Sequence, residues 1–289
     1  MKQFAGLLLG SYLVFGGLGV AAQDMTTPPK VLSIYREFVK PGKSGMPHEK
    51  AESAFVQAMT RAKWPTHYLT VTSLSGKPRA LFLTRYDSFE AWEKDALATQ
   101  KNEALSAALD RAAVADGDLL SDADASALLY KEEYSLRPQV DIPHMRYFEI
   151  SLYRVRPGHD ADWDSIAKMV MAAYEKIPDA HWATYRAVYG QEGNTYVVFT
   201  PMKSAAEIDK GFTQDKQFMS AMGEEGMKKF SELLAGAIES SQHNLFAFSP
   251  KMSYPPDEWI KADPEFWKPK PSPAAVITKK SEERAAANQ

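Results

Sequence analysis

Short motifs recur through this chain at a nearly constant separation, and that spacing limits its architecture more than any single residue does. Val39-Lys40-Pro41-Gly42 is matched by Val155-Arg156-Pro157-Gly158 at an offset of 116 residues. Pro65-Thr66-His67-Tyr68 has its counterpart in Asp179-Ala180-His181-Trp182, and Gly76 in Gly190, at 114. Thr84, Ser88 and Leu129-Tyr130 return to 116 with Thr200, Ser204 and Leu245-Phe246, so the two copies differ by two residues around one hairpin. Matches that keep their order and offset over most of a chain mark an internal duplication, and each copy must then form the same supersecondary unit.

Both copies carry the same run of periodicities. In the first, Val31–Val39 alternates as a strand up to Pro41-Gly42, and Pro47 opens a helix with Phe55, Met59 and Ala62 on one face to about Lys63. Tyr68–Leu74 and Arg79–Tyr86 form a hairpin around Ser75-Gly76-Lys77-Pro78. A helix is expected over Phe89–Ala115, and a fourth strand over Ala127–Leu136 after the break at Asp116-Gly117-Asp118. In the second copy Tyr147–Val155 is a strand, and Trp163, Ile166, Val170, Ala173 and Ile177 form a helical stripe behind Asp160 or Asp162. Ala183–Tyr189 and Thr195–Thr200 form a hairpin, Phe218–Ile238 a helix and Asn244–Phe248 a closing strand.

Each half therefore reads β-α-β-β-α-β, the ferredoxin-like split arrangement, and the fold class is α+β. The halves span residues 31–137 and 144–254, with a Pro- and charge-rich C-terminal arm over 255–289. Tyr254, Trp259, Phe266 and Trp267 are expected to pack that arm onto the body as far as about Pro271, with a partly disordered, solvated tail beyond. Both faces of the opening strands are partly apolar: in the second, Phe148, Ile150 and Leu152 alternate with Tyr147, Tyr153 and Val155. Helices on one side of each sheet leave the other side uncovered, so the two open faces are expected to meet, with a pocket at their seam. This arrangement, with an opening strand ending in Lys40-Pro41-Gly42 or Arg156-Pro157-Gly158, an aromatic hairpin and a second helix leading to a fourth strand, resembles the dimeric α+β barrel superfamily, including its antibiotic-biosynthesis-monooxygenase-like and NIPSNAP-like members. The resemblance implies that tandem copies build inside one chain, as an intrachain pseudo-dimer, the barrel that those proteins build across a dimer. It carries no catalytic constellation residue by residue.

Composition removes several functions. With 37 acidic and 34 basic side chains, a net charge of −3, the chain lacks the basic surface of a nucleic-acid binder. Without cysteine, thiol nucleophiles, iron–sulfur clusters, disulfides and lipid anchoring on cysteine are excluded. No Walker or dinucleotide glycine loop and no Gly-x-Ser-x-Gly elbow is present, so no cofactor is expected. No metal site is expected either: His-x-x-x-His and His-Glu-x-x-His spacings are absent, and Asp116, Asp118, Asp122 and Asp124 lack the glycine and final glutamate of a calcium loop and read as a solvated connection.

The remaining candidates come from the duplicated positions. His67 and His181 sit at equivalent places, either as acid–base groups lining one or two sites or as structural histidines. His48, His144, His159 and His243 have no such partners and read as surface or turn residues. Tyr68, Arg85, Tyr86, Glu149, Trp182, Tyr185, Arg186 and Tyr189 are candidate ligand-binding residues for a small apolar, aromatic or anionic molecule, and strand packing explains them equally. Glu149 and Arg186 are candidates for a buried ion pair. These features leave three functions open: a small-molecule binding protein, an enzyme of monooxygenase-like or isomerase-like type without cofactor, and a structural or partner-binding envelope protein using the arm.

At the N-terminus, Lys2 precedes the uncharged run Phe4–Val20 and small Ala21 and Ala22, the pattern of an export signal over residues 1–22. The other reading is an uncleaved anchor, which five glycines and a run short of roughly 20 residues disfavour. A periplasmic or secreted location without membrane attachment after cleavage is expected. Mass spectrometry of the exported protein should find Gln23 as its first residue; a chain that retains Met1 would overturn the cleavage.

Overall fold

The computed structural model describes residues 26–268. The export segment, and the tail read as partly disordered, lie outside them. The first half runs β1 (Val31–Val39), α1 (Met46–Ala62), β2 (Tyr68–Ser73), β3 (Arg79–Tyr86), α2 (Phe89–Lys101), α3 (Glu103–Gly117) and β4 (Leu120–Tyr130). The second runs β5 (Tyr147–Val155), α4 (Asp160–Tyr174), β6 (Ala183–Tyr189), β7 (Asn194–Met202), α5 (Ala206–Ala237) and β8 (Ile238–Phe248), followed by short α6 (Asp257–Ala262) and α7 (Pro264–Trp267).

The strands form one closed antiparallel barrel in the order β1-β3-β2-β8-β5-β7-β6-β4. Within it β4-β1-β3-β2 and β8-β5-β7-β6 are two ferredoxin-like sheets, so two tandem β-α-β-β-α-β repeats close a dimeric-type α+β barrel inside one chain. The period-2 alternation explains the closure. Leu32 and Ile34, Leu81 and Leu83, Phe148 and Ile150, Val197 and Phe199, and Phe246 and Phe248 turn to the inside, where they form one apolar core. An isolated sheet would leave these side chains in water, at a cost of about 1.5–3 kcal/mol each.

The two seams are built alike. At one, β2 pairs β8 from Val71↔Phe248 to Ser73↔Phe246; at the other, β4 pairs β6 from Ala127↔Tyr189 to Tyr130↔Tyr185. Beside each seam a buried threonine grips the segment that follows the other repeat's last strand. The Thr70 hydroxyl donates to the Met252 carbonyl (2.8 Å), and the Thr70 N–H donates to Ser253 Oγ (2.9 Å). Thr184 repeats this with the Tyr134 carbonyl (2.7 Å) and Ser135 Oγ (2.9 Å). Both serines donate four residues back, Ser253 to Ser249 O and Ser135 to Lys131 O, so every polar atom of each clasp is used. The duplicated glycines also serve the seams. A Cβ on Gly190 would lie 1.9 Å from Ala125 O on β4, and one on Gly76 would lie 2.8 Å from Asn244 Oδ1 on β8; both glycines have positive φ.

Several boundaries differ from the sequence reading. The expected single helix over Phe89–Ala115 is two helices, because the Asn102 side chain accepts from Leu105 N and caps α3. β4 begins at Leu120 and ends at Tyr130, where Ala127–Leu136 was expected: the polar run Asp122–Ala125 pairs along β1, and Leu136 makes only an isolated bridge to Trp182. β8 likewise extends back to Ile238 along β5. α5 begins at Ala206, with a break at Gly223 where φ is 71°.

The arm packs as far as it is described. Trp259 and Trp267 lie in the barrel core 5.1 Å apart, and Trp267 Nε1 donates to Pro143 O (2.9 Å). Arg146 pairs with Asp263 and stacks over Phe266. Residues 255–267 therefore plug one end of the barrel.

Thr70→Val and Thr184→Val keep side-chain shape but remove a donor from a buried carbonyl. Each is expected to destabilise the chain by about 1–3 kcal/mol, nearly additively, in denaturant unfolding. Loss below a few tenths of a kcal/mol would mean that the clasps do not hold the seams.

Candidate functional site

The barrel has two unlike mouths. At one, Arg36, Arg79, Arg154, Gln242 and Asn244 line a polar basin of about 490 Å³. Its charges are largely consumed: Arg36 binds Asp124 through two hydrogen bonds, Arg154 pairs with Glu192, and Arg79 lies over the Phe246 ring. At the other mouth the N-terminal segment Thr26–Pro29, the inter-repeat connection at Pro138, Val140 and Ile142, and the arm at Pro256 and Trp259 cover a mostly apolar cavity of about 100 Å³.

Leu32, Leu69, Leu83, Phe148 and Phe199 form the apolar floor of this second cavity. Both repeats reach it at equivalent strand ends, so His67, Tyr68 and Arg85 from the first meet His181, Trp182 and Tyr185 from the second. The duplicated histidines thus line one shared cavity, but their environments differ. His181 Nδ1 lies 2.7 Å from Asp179 O and its Nε2 2.8 Å from Pro201 O, so a main-chain carbonyl faces each ring nitrogen. His67 stacks on Tyr254 with centroids 4.6 Å apart, and its Nδ1 is buried without a hydrogen-bond partner. Burial lowers the His67 pKa, against a main-chain hydrogen bond to Tyr254 and the Glu258 and Asp257 carboxylates that raise it.

Trp259 adds a second unpartnered group: the residue is 4 % exposed and its Nε1 has no acceptor. Arg85 donates to Thr27 O (2.6 Å), tying the N-terminal segment across the mouth. Tyr185 is buried against Phe199 and Tyr130, and burial holds its phenol far above the ordinary range. The Tyr68 hydroxyl is also buried without a partner; burial and the Glu52 and Glu37 carboxylates raise its pKa, and its ring meets Phe82 and Tyr254.

The other candidates lie elsewhere. Tyr86 donates to Asp95 Oδ2 (2.9 Å) and stacks on Trp92. Tyr189 is exposed at the tip of β6 against Phe89. Glu149 and Arg186 do not form a buried pair: β7 separates their strands, Arg186 is exposed, and Glu149 accepts from Ser151 Oγ near the His243 ring.

His48 is no surface residue but 3 % exposed, and with Glu37, Glu52 and Asp116, each 4 % exposed or less, it forms a cluster between the sheet and helices of the first repeat. Of the four aspartates read as solvated, Asp116 is in this cluster, Asp124 is paired in the basin, and Asp118 and Asp122 are exposed. His48 and Glu52 are one helical turn apart, a signal visible in the sequence; that α3 brings Asp116 to the same point is not.

A depressed His67 pKa gives a signed pH effect. Above the ordinary imidazole value of about 6.5 both folded and unfolded chains are neutral there, and the contribution is complete. As pH falls below it, the unfolded chain takes the proton first and stability is lost. Between pH 7.5 and 5.5 the melting temperature should fall more in the unaltered protein than in His67→Gln; equal falls would contradict a buried neutral imidazole.

No family model matches the chain, and no curated protein matches it. Among solved structures, it is similar to a candidate monooxygenase from Fusobacterium nucleatum (12 % identity, 75 % of this chain and 91 % of that one, TM-score 0.48). It is similar also to an anthrone oxidase-like protein (13 %, 76 % and 92 %, 0.48) and to a mutant chlorite dismutase from Candidatus Nitrospira defluvii (9 %, 83 % and 98 %, 0.46).

Proposed function

We propose that the chain is an exported binding protein for a small apolar or aromatic molecule, held at the plugged mouth of its barrel. One observation carries this reading: His67 Nδ1 and Trp259 Nε1, both buried and both without partners, belong to side chains lining the same apolar cavity. Buried polar atoms are nearly always satisfied, so two orphans around one cavity favour a ligand that supplies an acceptor for the indole and a polar atom for the imidazole. The cavity volume suits a ligand portion of about one ring, comparable in scale to apolar cavities that take up benzene.

The same imidazole favours a second reading, an enzyme in which His67 moves a proton on the bound ring. A neutral histidine with a free nitrogen is competent for general acid–base work. His181, with a main-chain carbonyl against each nitrogen, serves in that case only as a wall of the site.

Titration of the full chain with single-ring phenols, quinones and benzoates, followed by the fluorescence of Trp182 and Trp259, tests both readings. Binding is expected for at least one class. Trp259→Phe, which keeps an aromatic ring and loses the donor, should weaken it by about 5–10-fold, one hydrogen bond's worth. Absence of binding at millimolar ligand would overturn the proposal. Turnover of a bound compound that disappears in His67→Gln, with affinity kept, would favour the enzyme.

A further inference from the structure

We propose that Glu37, His48, Glu52 and Asp116 bind a divalent first-row transition-metal ion between the sheet and the helices of the first repeat, apart from the barrel-mouth cavity. The four residues come from three elements: Glu37 from the helix-facing side of β1, His48 and Glu52 from successive turns of α1, and Asp116 from the last turn of α3. One ligand atom from each lies within 4.8 Å of all the others. His48 Nε2 is 2.9 Å from Glu37 Oε2, 3.6 Å from Asp116 Oδ1 and 3.9 Å from Glu52 Oε1. Metal–ligand bonds of about 2.0–2.2 Å place neighbouring ligand atoms roughly 3–4.4 Å apart around one ion, so little movement is needed to enclose one.

The cluster does not satisfy itself. Glu52 Oε1 and both carboxylate oxygens of Asp116 are buried without hydrogen-bond partners, on side chains only 3 and 2 % exposed. Among the described residues no lysine or arginine pairs with any of the three carboxylates; one imidazole is their whole complement. Three buried carboxylates around one imidazole are costly as they stand, and a divalent cation removes the cost by supplying charge and by accepting the orphaned lone pairs. Burial and mutual repulsion raise the pKa of Glu52 and Asp116, in keeping with that imbalance.

The duplication supplies an internal control. The strand position matching Glu37 in the second repeat is Tyr153, and there the sheet–helix layer is packed with Tyr153, Trp163 and Tyr196, with Trp163 stacked on Tyr196 at 4.4 Å. Packing this layer does not require buried carboxylates, and among the described residues only the first copy has them. The donor set of one nitrogen and three carboxylates, without sulfur, suits manganese, ferrous iron or zinc and disfavours soft monovalent copper.

The test uses the full chain, stripped with chelator and titrated with Mn²⁺ and, separately, Zn²⁺. One ion per chain should be retained after desalting, with a raised melting temperature. Glu52→Gln and Asp116→Asn should weaken binding by at least about tenfold, while His144→Gln, at an exposed histidine, leaves it unchanged. Failure of both ions to bind stoichiometrically, or binding unaltered in both cluster variants, would overturn the site. If neither variant folds, electron spin-echo spectroscopy of Mn²⁺ on the unaltered chain decides: modulation from one imidazole nitrogen supports the site, and its absence refutes it.

Discussion

The barrel depends on a reciprocal clasp. Thr70 and Thr184 each reach across a seam to the segment following the other repeat's fourth strand, and each binds a carbonyl and a serine hydroxyl there. The strands at the seams share only a few paired residues, so the clasps extend the junction into the buried region beyond the last ladder bonds. The same contacts place the chain segments that cover one mouth. Met252 and Ser253 lead into the arm that carries Trp259 and Trp267, and Tyr134 and Ser135 lead into the connection that carries Pro138 and Ile142. Closure of the barrel and covering of the cavity are thus one structural event, because the segments leaving the seams are the ones that close the end.

Chemistry enters where the two copies diverge. His67 and His181 begin from the same place in the repeat, yet His181 is held by two carbonyls while His67 keeps an unpartnered nitrogen beside the plug. Glu37 and Tyr153 share a strand position, and one faces three other ionisable groups while the other joins an aromatic stack. Duplication supplies two equivalent frames, and the barrel core draws on both. The buried acidic cluster therefore lies in the first repeat, and the aromatic stack in the matching layer of the second.

The local code was largely readable. Alternation marked six of the eight strands near their observed places, Pro47 and Asp160 marked helix starts, and the constant offset implied the paired sheets. Where reading failed, polarity misled it. Asp122 and Asp124 resemble a solvated loop, but they lie on β4, where backbone pairing with β1 sets the strand and Arg36 accepts the charge. Asn102 is an ordinary polar residue within a helical pattern until its side chain caps a second helix. Of the candidate ligand residues, those at the plugged end, Tyr68, Arg85, Trp182 and Tyr185, meet at one cavity, while Tyr86, Glu149, Arg186 and Tyr189 face other layers.

The sequence by itself determined the elements, their duplication and the need of two apolar sheet faces for each other, because periodicity and burial are properties of neighbouring residues along the chain. Tertiary structure alone decided which polar groups lose water together. His48 and Asp116 are 68 positions apart and Trp259 is nearly 200 from His67, so their meeting depends on how α3 lies against α1 and how the arm enters the barrel. Desolvation acts on groups gathered in space, and neither the burial of the carboxylate cluster nor the orphaned atoms at the mouth exist until the barrel closes.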